Sequence, residues 1–370
     1  MRLKNECSWI LLHLQIMMFK NHSLKVTLNK DMLEEVWHNK KISCISDDTL
    51  DEATVDMSLI VPLYNSAKFI SKCLDSLLNQ DTKYCYEIIL VNDGSVDETE
   101  NLARTYCQKY PEKIRLISQA NQGISVARNK GMIHSHGRYI GFIDHDDWVD
   151  KMYIEKLLNI AYSEKADIVK CSYAVINNGK TIQKNVTSKQ TITGSMKSKL
   201  FDYRSFIWGG CYRRELLSCV RFPSGYWYED MITRILLYQQ SKKFCDVGEL
   251  LYYKLEHDNN ASNKVWSNKD YKCLEQVYLP EALITDCLQL DIKQDAWMYQ
   301  CILLEYTAVL AGRIAALPLK IQKQAFFYAG DVLRKIYKEE FEDELIDKLK
   351  PWNRVILNKK YYLWLEMAGI

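Results

Sequence analysis

The sequence predicts an α/β fold in which helices flank a mostly parallel, Rossmann-like sheet and a helical region follows at the C-terminus. Two observations predict it. Between Met57 and about residue 150, short apolar runs typical of buried strands alternate with patterns of helical period. From about residue 268 onward, Leu, Tyr and Trp recur at helical spacing. Because alternating strands and helices form βαβ units, the first part is expected to hold parallel strands.

The elements of the first part follow in order along the chain. Apolar runs predict strands at 57–61, 86–91, 114–117 and 139–143, and helical spacing predicts helices at 69–78, 97–109 and 123–135. After Asp147 the pattern changes. It predicts a strand at 167–171, a hairpin over 173–193 around Asn177-Asn178-Gly179, helices near 196–202 and 229–241, and a strand pair near 244–255.

Composition excludes some classes of protein. The 370 residues include 49 Lys and Arg against 47 Asp and Glu, and this near balance argues against a nucleic-acid-binding protein. The 12 cysteines are scattered and form no C-x-x-C pair, which indicates reduced, buried thiols of a cytosolic protein. The apolar run from Trp9 to Phe19 is shorter than the roughly 20 residues of a membrane span. We therefore expect residues 1–56 to form an extension outside the catalytic core.

Three acids follow the predicted strand at 139–143 in the pattern Asp144-His145-Asp146-Asp147. The carboxyl end of a strand is where open α/β sheets bind ligands. Carboxylates so close together repel one another unless a positive group is bound, and a divalent cation that carries a phosphate would serve. For the D-x-D pattern alone, an acidic turn that caps the next helix is an equal alternative.

Five segments together resemble the family 2 glycosyltransferases, which are inverting, nucleotide-sugar-dependent enzymes with the GT-A fold. The resemblance covers about residues 57–262, and its order and spacing are far more specific than any one piece. The segments are Val61-Pro62-Leu63-Tyr64-Asn65, Val91-Asn92-Asp93-Gly94-Ser95-Val96-Asp97, the run from Asn121 to Gly131, Phe142 to Asp147, and Tyr228-Glu229-Asp230.

The resemblance implies a donor site built around Asp93. A carboxylate accepts a hydrogen bond from uracil N3, which favours a UDP-sugar over a CMP-sugar and leaves dTDP and GDP open. Pro62 and Tyr64 would wall the base, and Arg128 would grip a phosphate or the base. Each of these residues, taken singly, has a structural interpretation that is as good or better. Asp93 would be a turn aspartate, Pro62 and Tyr64 would be residues at the end of a strand, and Arg128 would be a surface arginine.

The same resemblance implies a divalent metal, Mg²⁺ or Mn²⁺, at the diphosphate. Asp146 would be its direct ligand, and Asp144 would contact the ribose and help to hold the metal. Asp147 would either support these two residues or face the sugar. His145 is expected to point away and has no metal role. His257 would be a third ligand or a diphosphate contact, with a structural or surface histidine as the alternative. Many members of the family carry an arginine in this segment, where this chain has Lys254 or Leu255. The contact that such an arginine would make is therefore in doubt for this chain.

The resemblance assigns the general base to Asp230. An inverting transfer is a direct displacement by an acceptor hydroxyl, and a carboxylate that removes its proton typically contributes about 10²–10⁴-fold. The positive end of a helix would keep this carboxylate ionised. An ordinary acidic first turn is the alternative. Trp208 reads either as part of a sugar platform or as core.

We therefore predict a DXD-containing, metal-dependent glycosyltransferase of polysaccharide biosynthesis, with a saccharide or lipid-linked saccharide as acceptor and no nucleic-acid partner. Its regions would be the extension 1–56, a catalytic domain 57–265 (57–150 for the nucleotide-sugar, 151–265 for the acceptor) and a helical region 266–370. The alternatives are a sugar nucleotidyltransferase, disfavoured because the first turn lacks glycine, and a non-catalytic nucleotide- or glycan-binding module.

We also expect a cytoplasmic protein. The stretch from Trp352 to Leu365 mixes aromatic and basic residues and would suit peripheral contact with the inner face of the plasma membrane. An ordinary helix packed on the core is the commoner origin of such a pattern.

Overall fold

The computed structural model describes residues 43–46, 50, 52–194, 205–258, 260 and 270–370. The predicted helix near 196–202 and most of the predicted extension lie outside these residues. Residues 39–370 cluster as one compact unit. At its start, the backbone N–H of Cys44 donates to the Asp286 carboxylate (2.6 Å), and Ile45 forms an antiparallel bridge with Val220. The end of the predicted extension is thus packed against the rest of this unit.

A ten-stranded sheet forms the centre of the molecule, and its first half is parallel as predicted. The strand order in this half is β3-β2-β1-β4. The strands are β1 (Val55–Leu63), β2 (Tyr86–Asp93), β3 (Ile114–Gln119) and β4 (Gly137–Phe142). Every residue of β2, and of β1 from Met57 onward, is buried. Burial on both faces explains why these strands read as continuous apolar runs rather than alternating ones.

Three helices accompany this half of the sheet, α1 (Ile70–Leu78), α2 (Thr99–Lys109) and α3 (Ile124–Ile133), and α4 (Tyr153–Glu164) packs on the other half. Helix α3 packs on β1 so closely that a Cβ on Gly131 would lie 2.4 Å from Cγ2 of Ile60. The glycine that ends the run from Asn121 to Gly131 is therefore required by the contact between helix and sheet.

The second half of the sheet is mixed, and β9 joins it to the first half by pairing antiparallel with both β4 and β6. Its strands are β5 (Trp148–Val149), β6 (Ile168–Asn177), β7 (Lys180–Asn185), β8 (Gln190–Thr193), β9 (Gly210–Arg213) and β10 (Lys243–Leu255). The predicted hairpin is present between β6 and β7. Asn178 (φ 47°) and Gly179 (φ 74°) both take the left-handed backbone of a tight hairpin turn.

The strand pair expected near 244–255 is instead a single long strand, β10. Its register against β6 shifts between Asp246 and Leu250, and Gly248 lies between them with φ 74°. The glycine therefore creates an irregularity within one strand rather than a reversing turn.

The C-terminal part is helical, as predicted. After α5 (Tyr238–Gln240), its helices are α6 (Glu275–Gln289), α7 (Ala296–Leu304), α8 (Leu310–Ile314), α9 (Leu319–Ile336), α10 (Phe341–Glu344), α11 (Lys350–Leu357) and α12 (Tyr361–Ala368). Short 3₁₀ helices span Arg214–Leu217 and Tyr271–Leu274, and π-helical turns span Thr233–Leu237 and Glu305–Val309.

The last helix packs on the core through its largest side chains. Trp364 is fully buried, and its indole Nε1 donates to the carbonyl oxygen of Tyr306 (2.9 Å). Tyr361 is buried as well, whereas Tyr362 and Leu363 are about half exposed. The aromatic composition of this stretch therefore reflects packing to a large extent, in line with the second reading given above.

Two general expectations concern the whole chain. Among the described residues, no helix is both long and apolar enough to cross a membrane. The eleven described cysteines form no disulfide with one another, and eight of them are buried, which agrees with the thiols expected from the sequence.

Candidate active site

The predicted donor-side residues converge at the carboxyl ends of β1, β2 and β4. Asp93 is the last residue of β2, and Tyr64 follows β1 directly. The acids follow β4, where the backbone N–H of Asp147 donates to the carbonyl oxygen of Asp144 (3.0 Å) and closes a tight turn. This edge is the usual ligand-binding edge of an open α/β sheet.

Asp93 is buried and organises the loop that leads into α3. Its carboxylate accepts hydrogen bonds from the backbone N–H groups of Gln122 (2.9 Å) and Gly123 (2.8 Å) and from Nε2 of Gln119 (2.8 Å). The side-chain amide of Asn121 donates to the Asp93 carbonyl oxygen (3.0 Å). Asp93 thereby ties the end of β2 to the N-terminus of α3, in addition to any role towards a ligand.

The two residues predicted to wall a base differ in exposure. Pro62 is buried within β1, beside Val91 of β2. Tyr64 is 48% exposed at the end of the strand. The ring of Tyr64 is thus free to stack on a planar ligand, whereas Pro62 can shape such a site only from within the sheet.

Arg128 links the acid turn to the predicted base, and it is not a surface arginine. Its guanidinium donates to Oδ1 of Asp144 (3.0 Å), to Oε1 of Glu229 (2.7 Å) and, more weakly, to Oδ1 of Asp230 (3.4 Å). The side chain is only 2% exposed. Burial opposes its charge, but the three carboxylates outweigh burial and raise the pKa of Arg128 above its ordinary value.

Asp230 begins the helical turns that lead to α5, and its carbonyl oxygen accepts from the backbone N–H of Thr233 (3.0 Å). Burial, together with the negative charge of Glu229, raises the pKa of Asp230 to about 7, although Arg128 and Lys170 act to lower it. A carboxyl group with such a pKa exchanges its proton near neutral pH, which is the property a general base needs.

Asp146 faces His257 across the site. Oδ2 of Asp146 lies 3.0 Å from Nε2 of His257 and accepts from Nδ2 of Asn260 (3.1 Å). The imidazole stacks on the ring of Phe69, with centroids 4.5 Å apart. Asn260 also accepts from the backbone N–H of His257, so it fixes both members of the pair.

Asp147 supports the acid turn from behind. It is 1% exposed, and its carboxylate accepts from the hydroxyl of Tyr252 (2.6 Å) and the backbone N–H of Leu255 (2.8 Å). The same tyrosine oxygen accepts from the backbone N–H of Asp144 (3.3 Å). Burial, and then the charges of Asp146 and Asp144, raise the pKa of Asp147 well above its usual range.

The site carries an excess of negative charge. Arg128 interacts with Asp144, Glu229 and Asp230, and Lys170 interacts with Asp230. Two further acids, Asp146 and Asp147, interact with each other, and Asp147 also interacts with Asp144. Such an excess is relieved by proton uptake or by a bound cation.

A divalent cation matches part of this arrangement. The 3.0 Å between Asp146 Oδ2 and His257 Nε2 is about the separation of adjacent ligands on an octahedral ion with bonds of about 2.1 Å. Within the described residues, no group of three or more His, Cys, Asp or Glu side chains is arranged to hold an ion by itself. An ion here would therefore need further oxygen ligands from a substrate or water, which is how Mg²⁺ is commonly bound.

The predicted acceptor side is a stack of aromatic rings rather than an exposed platform. Trp208 is 4% exposed and lies between Phe206 (centroids 4.5 Å apart) and Tyr252 (4.7 Å). Behind it, Nζ of Lys170 donates to the carbonyl oxygen of Phe206 (2.9 Å) and to the hydroxyl of Tyr212 (3.2 Å). Burial lowers the pKa of Lys170 to about 8.

Several contacts within the site were not expected from the sequence. Glu229 makes the shortest of the three bonds to Arg128, and Asn260 and Phe69 hold the Asp146–His257 pair. Asn260 lies three residues after His257, so its closeness to His257 could have been expected from the sequence. No pattern in the sequence connects Phe69 with His257.

Comparisons with known proteins identify similar sequences and a similar fold. Residues 58–220 match the model of glycosyl transferase family 2. A putative glycosyltransferase, EpsH of Bacillus subtilis (strain 168), is 38% identical over 180 residues, which are 46% of this chain and 51% of the relative. An uncharacterized glycosyltransferase, YibD of Escherichia coli (strain K12), is 32% identical over 194 residues, 49% of this chain and 55% of the relative. The chain thus spans about half the length of these curated relatives.

The fold is also similar to a solved structure. The crystal structure of S. aureus TarS 1-349 in complex with UDP-GlcNAc superposes with a TM-score of 0.66, over 85% of this chain and 90% of that chain, at 19% identity. The architecture is therefore the GT-A fold, as expected. Residues 58–220 are therefore similar to glycosyl transferase family 2, the family that the motifs resemble.

Proposed function

We propose that the chain is an inverting glycosyltransferase that moves a sugar from a UDP-sugar to an acceptor hydroxyl, with a divalent metal at the diphosphate and Asp230 as general base. One observation carries the proposal. Arg128 draws Asp144, from the acid turn, and Asp230, from a segment 86 positions later in the chain (230 − 144 = 86), into one cluster. Donor-binding acids and an acceptor base must be adjacent if an acceptor is to attack a bound donor.

The proposed donor is a uridine diphosphate sugar. The carboxylate of Asp93 is held by three donors, and carboxylate oxygens have lone pairs left for uracil N3. The half-exposed ring of Tyr64 would stack on the base, with Pro62 beneath the loop. TarS, which shares the fold, was crystallised with UDP and with UDP-GlcNAc.

The proposed metal is Mg²⁺ or Mn²⁺, held by Asp146, Asp144 and, with the diphosphate oxygens, His257. When bound, such an ion stabilises the negative charge that builds up on the leaving diphosphate. Asp144 would turn one oxygen to the ion while its other oxygen keeps the bond to Arg128. Asp147 and Asn260 would keep this pair of ligands in place.

The proposed base is Asp230. As the acceptor oxygen forms its bond to the anomeric carbon, its proton passes to the Asp230 carboxylate. The bond from that carbon to the diphosphate oxygen breaks, and the electron pair leaves with UDP. A pKa of about 7 lets Asp230 accept this proton and release it again in the next cycle.

The proposed acceptor is a saccharide or a lipid-linked saccharide in the synthesis of a polysaccharide. Peripheral contact with a membrane through the exposed Tyr362 and Leu363 is part of the same proposal. Flotation with anionic vesicles, before and after removal of residues 350–370, tests the contact. Unchanged association of the shortened chain would exclude this helix pair as the contact.

The test of the activity itself is UDP release from a panel of UDP-sugars with Mn²⁺ and saccharide acceptors. Release that needs both donor and acceptor supports a transferase. Tight UDP binding without release would indicate a binding module, and pyrophosphate production from UTP and a sugar phosphate would indicate a nucleotidyltransferase.

A further inference from the structure

Residues 227–234, called here the base segment, are held by the C-terminal helical region. The backbone N–H of Trp227 donates to the carboxylate of Glu275, at the start of α6. At the other end, Arg234 donates to Glu305 (2.9 Å), and both side chains of this ion pair are 8% exposed. Asp230 thus lies in a segment fixed at both ends by residues from beyond position 270.

Tyr228 has an unusual backbone conformation two positions before Asp230. Its φ of 62° is left-handed, which for a bulky residue other than glycine is strained and persists only when the surroundings enforce it. The backbone N–H of Met231 donates to the Tyr228 carbonyl oxygen (2.9 Å), so the first turn after Tyr228 starts from this strained residue. The direction in which Asp230 leaves the backbone therefore depends on Tyr228.

Arg313 of α8 is the group that holds the ring of Tyr228. The guanidinium carbon lies 3.9 Å from the ring centroid, which is a close cation–π stack. The Tyr228 hydroxyl is buried and has no hydrogen-bond partner among the described residues, so stacking rather than a hydrogen bond fixes the ring. Arg313 follows the π-helical turn Glu305–Val309, whose first residue holds Arg234.

We propose that Arg313 is a positioning residue for the transfer reaction. Through its stack on Tyr228 it maintains the left-handed turn that aims the Asp230 carboxylate at the acceptor, without touching the substrate itself. The inference rests on the proposed function and assigns part of the catalytic geometry to the helical region.

The experiment compares Arg313→Met, Tyr228→Leu and the double variant with the wild-type enzyme. We expect each single variant to lower kcat at least tenfold, with the KM for the donor and the Kd for UDP within twofold. The double variant should be no slower than the slower single variant, because both changes break one stack. Arg313→Lys keeps the charge but loses the planar contact, and it should restore only part of kcat.

A matched control separates positioning from general loosening of the helices. Tyr361→Phe removes a buried hydrogen bond to Gln322 (2.8 Å), which joins α12 to α9 in the same helical region. It should lower Tm by a few degrees and leave kcat unchanged. The pH at which kcat reaches half its plateau should move in Arg313→Met and stay at the wild-type value in Tyr361→Phe.

The outcomes are distinguishable from those of the proposed function. If wild-type enzyme transfers sugar and Arg313→Met does so within twofold at the same pH profile, the positioning role is wrong and the function stands. Multiplicative losses in the double variant, or a parallel loss of UDP affinity, would also overturn it. If wild-type enzyme releases UDP from no donor, both proposals fall.

Discussion

The donor edge and the base segment are built in opposite ways. The donor edge (Asp93, Arg128, Asp144 and Asp146) lies at the ends of neighbouring strands and on the helix that packs against them. Residues 227–234 are held by residues that lie 41 positions or more after the segment ends (275 − 234 = 41). One region is shaped locally and the other at long range.

The family match covers one of these two regions. Residues 58–220 include the whole donor edge and exclude the base segment. A motif whose geometry follows from adjacent strands can be read from the order of residues alone. The contacts of the base segment with Arg313 and Glu275 form only in the packed molecule, so they cannot be read from the motif.

The largest effect expected in a test of the difference between the donor edge and the base segment comes from the donor edge. Asp146→Ala should lower metal-dependent transfer by about 10³-fold, because a Lewis acid at the diphosphate is worth several kcal/mol. Titration of transfer with Mn²⁺ measures it. His145→Ala changes the adjacent residue, for which no metal role is predicted, and is the matched control. Full activity of Asp146→Ala would remove the metal assignment.

The base segment should respond differently. Asp230→Asn should lower kcat by about 10²–10⁴-fold while UDP binding, measured by calorimetry, stays unchanged. In the wild-type enzyme the base works only when ionised, so kcat should rise with pH through about 7 and level off above it. A variant that loses UDP binding but transfers normally per bound donor would contradict the role of base.

A smaller effect tests the local construction of the donor edge. In Gly131→Ala the new methyl would meet Ile60, and overpacking of this kind typically costs about 1–3 kcal/mol. We expect a lower Tm and weaker UDP binding, because α3 carries Arg128. Lys130→Ala, on the exposed side of the same helix, should change neither. Equal Tm values for the two variants would show that α3 has room to move.

The smallest effect concerns the charge behind the base. Lys170 helps to lower the pKa of Asp230, so Lys170→Met should shift the rise of kcat to higher pH by up to about one unit, a factor of about ten near pH 6. Lys170→Arg retains the charge and is the control. A rise of kcat at the wild-type pH in Lys170→Met would mean that Lys170 does not affect the ionisation of Asp230.

Much of the fold followed from the sequence because strand ends and turns have local causes. Gly94, after Asp93, has φ 70°, and a Cβ there would lie 2.7 Å from the backbone nitrogen of Asn121. A position that only glycine can occupy can be recognised in a sequence motif.

The strand β10 was predicted as a pair of strands, and this prediction was wrong. A glycine such as Gly248 is typical of a reversing turn, but here it lies at a shift of register within one strand.

The site was predictable as a set of acids but not as a network. The sequence indicated Asp144, Asp146 and Asp230, and it could not show that Arg128 and Glu229 form an ion pair across 101 positions. The sequence could not decide whether Trp208 belongs to a sugar platform or to the core, because burial is a property of the tertiary structure. In the structure Trp208 is a buried residue that stacks on the rings of Phe206 and Tyr252.

The grip of the helical region on the base segment also has a consequence for recombination between relatives. A chimaera that takes its C-terminal helices from another enzyme would separate Arg313 from Tyr228 and Glu305 from Arg234 if the junction fell between residues 234 and 305. Junctions before residue 227 would transfer the segment and its supports together. The part of the chain to exchange as one piece would then begin at residue 227, after the end of the matched stretch 58–220.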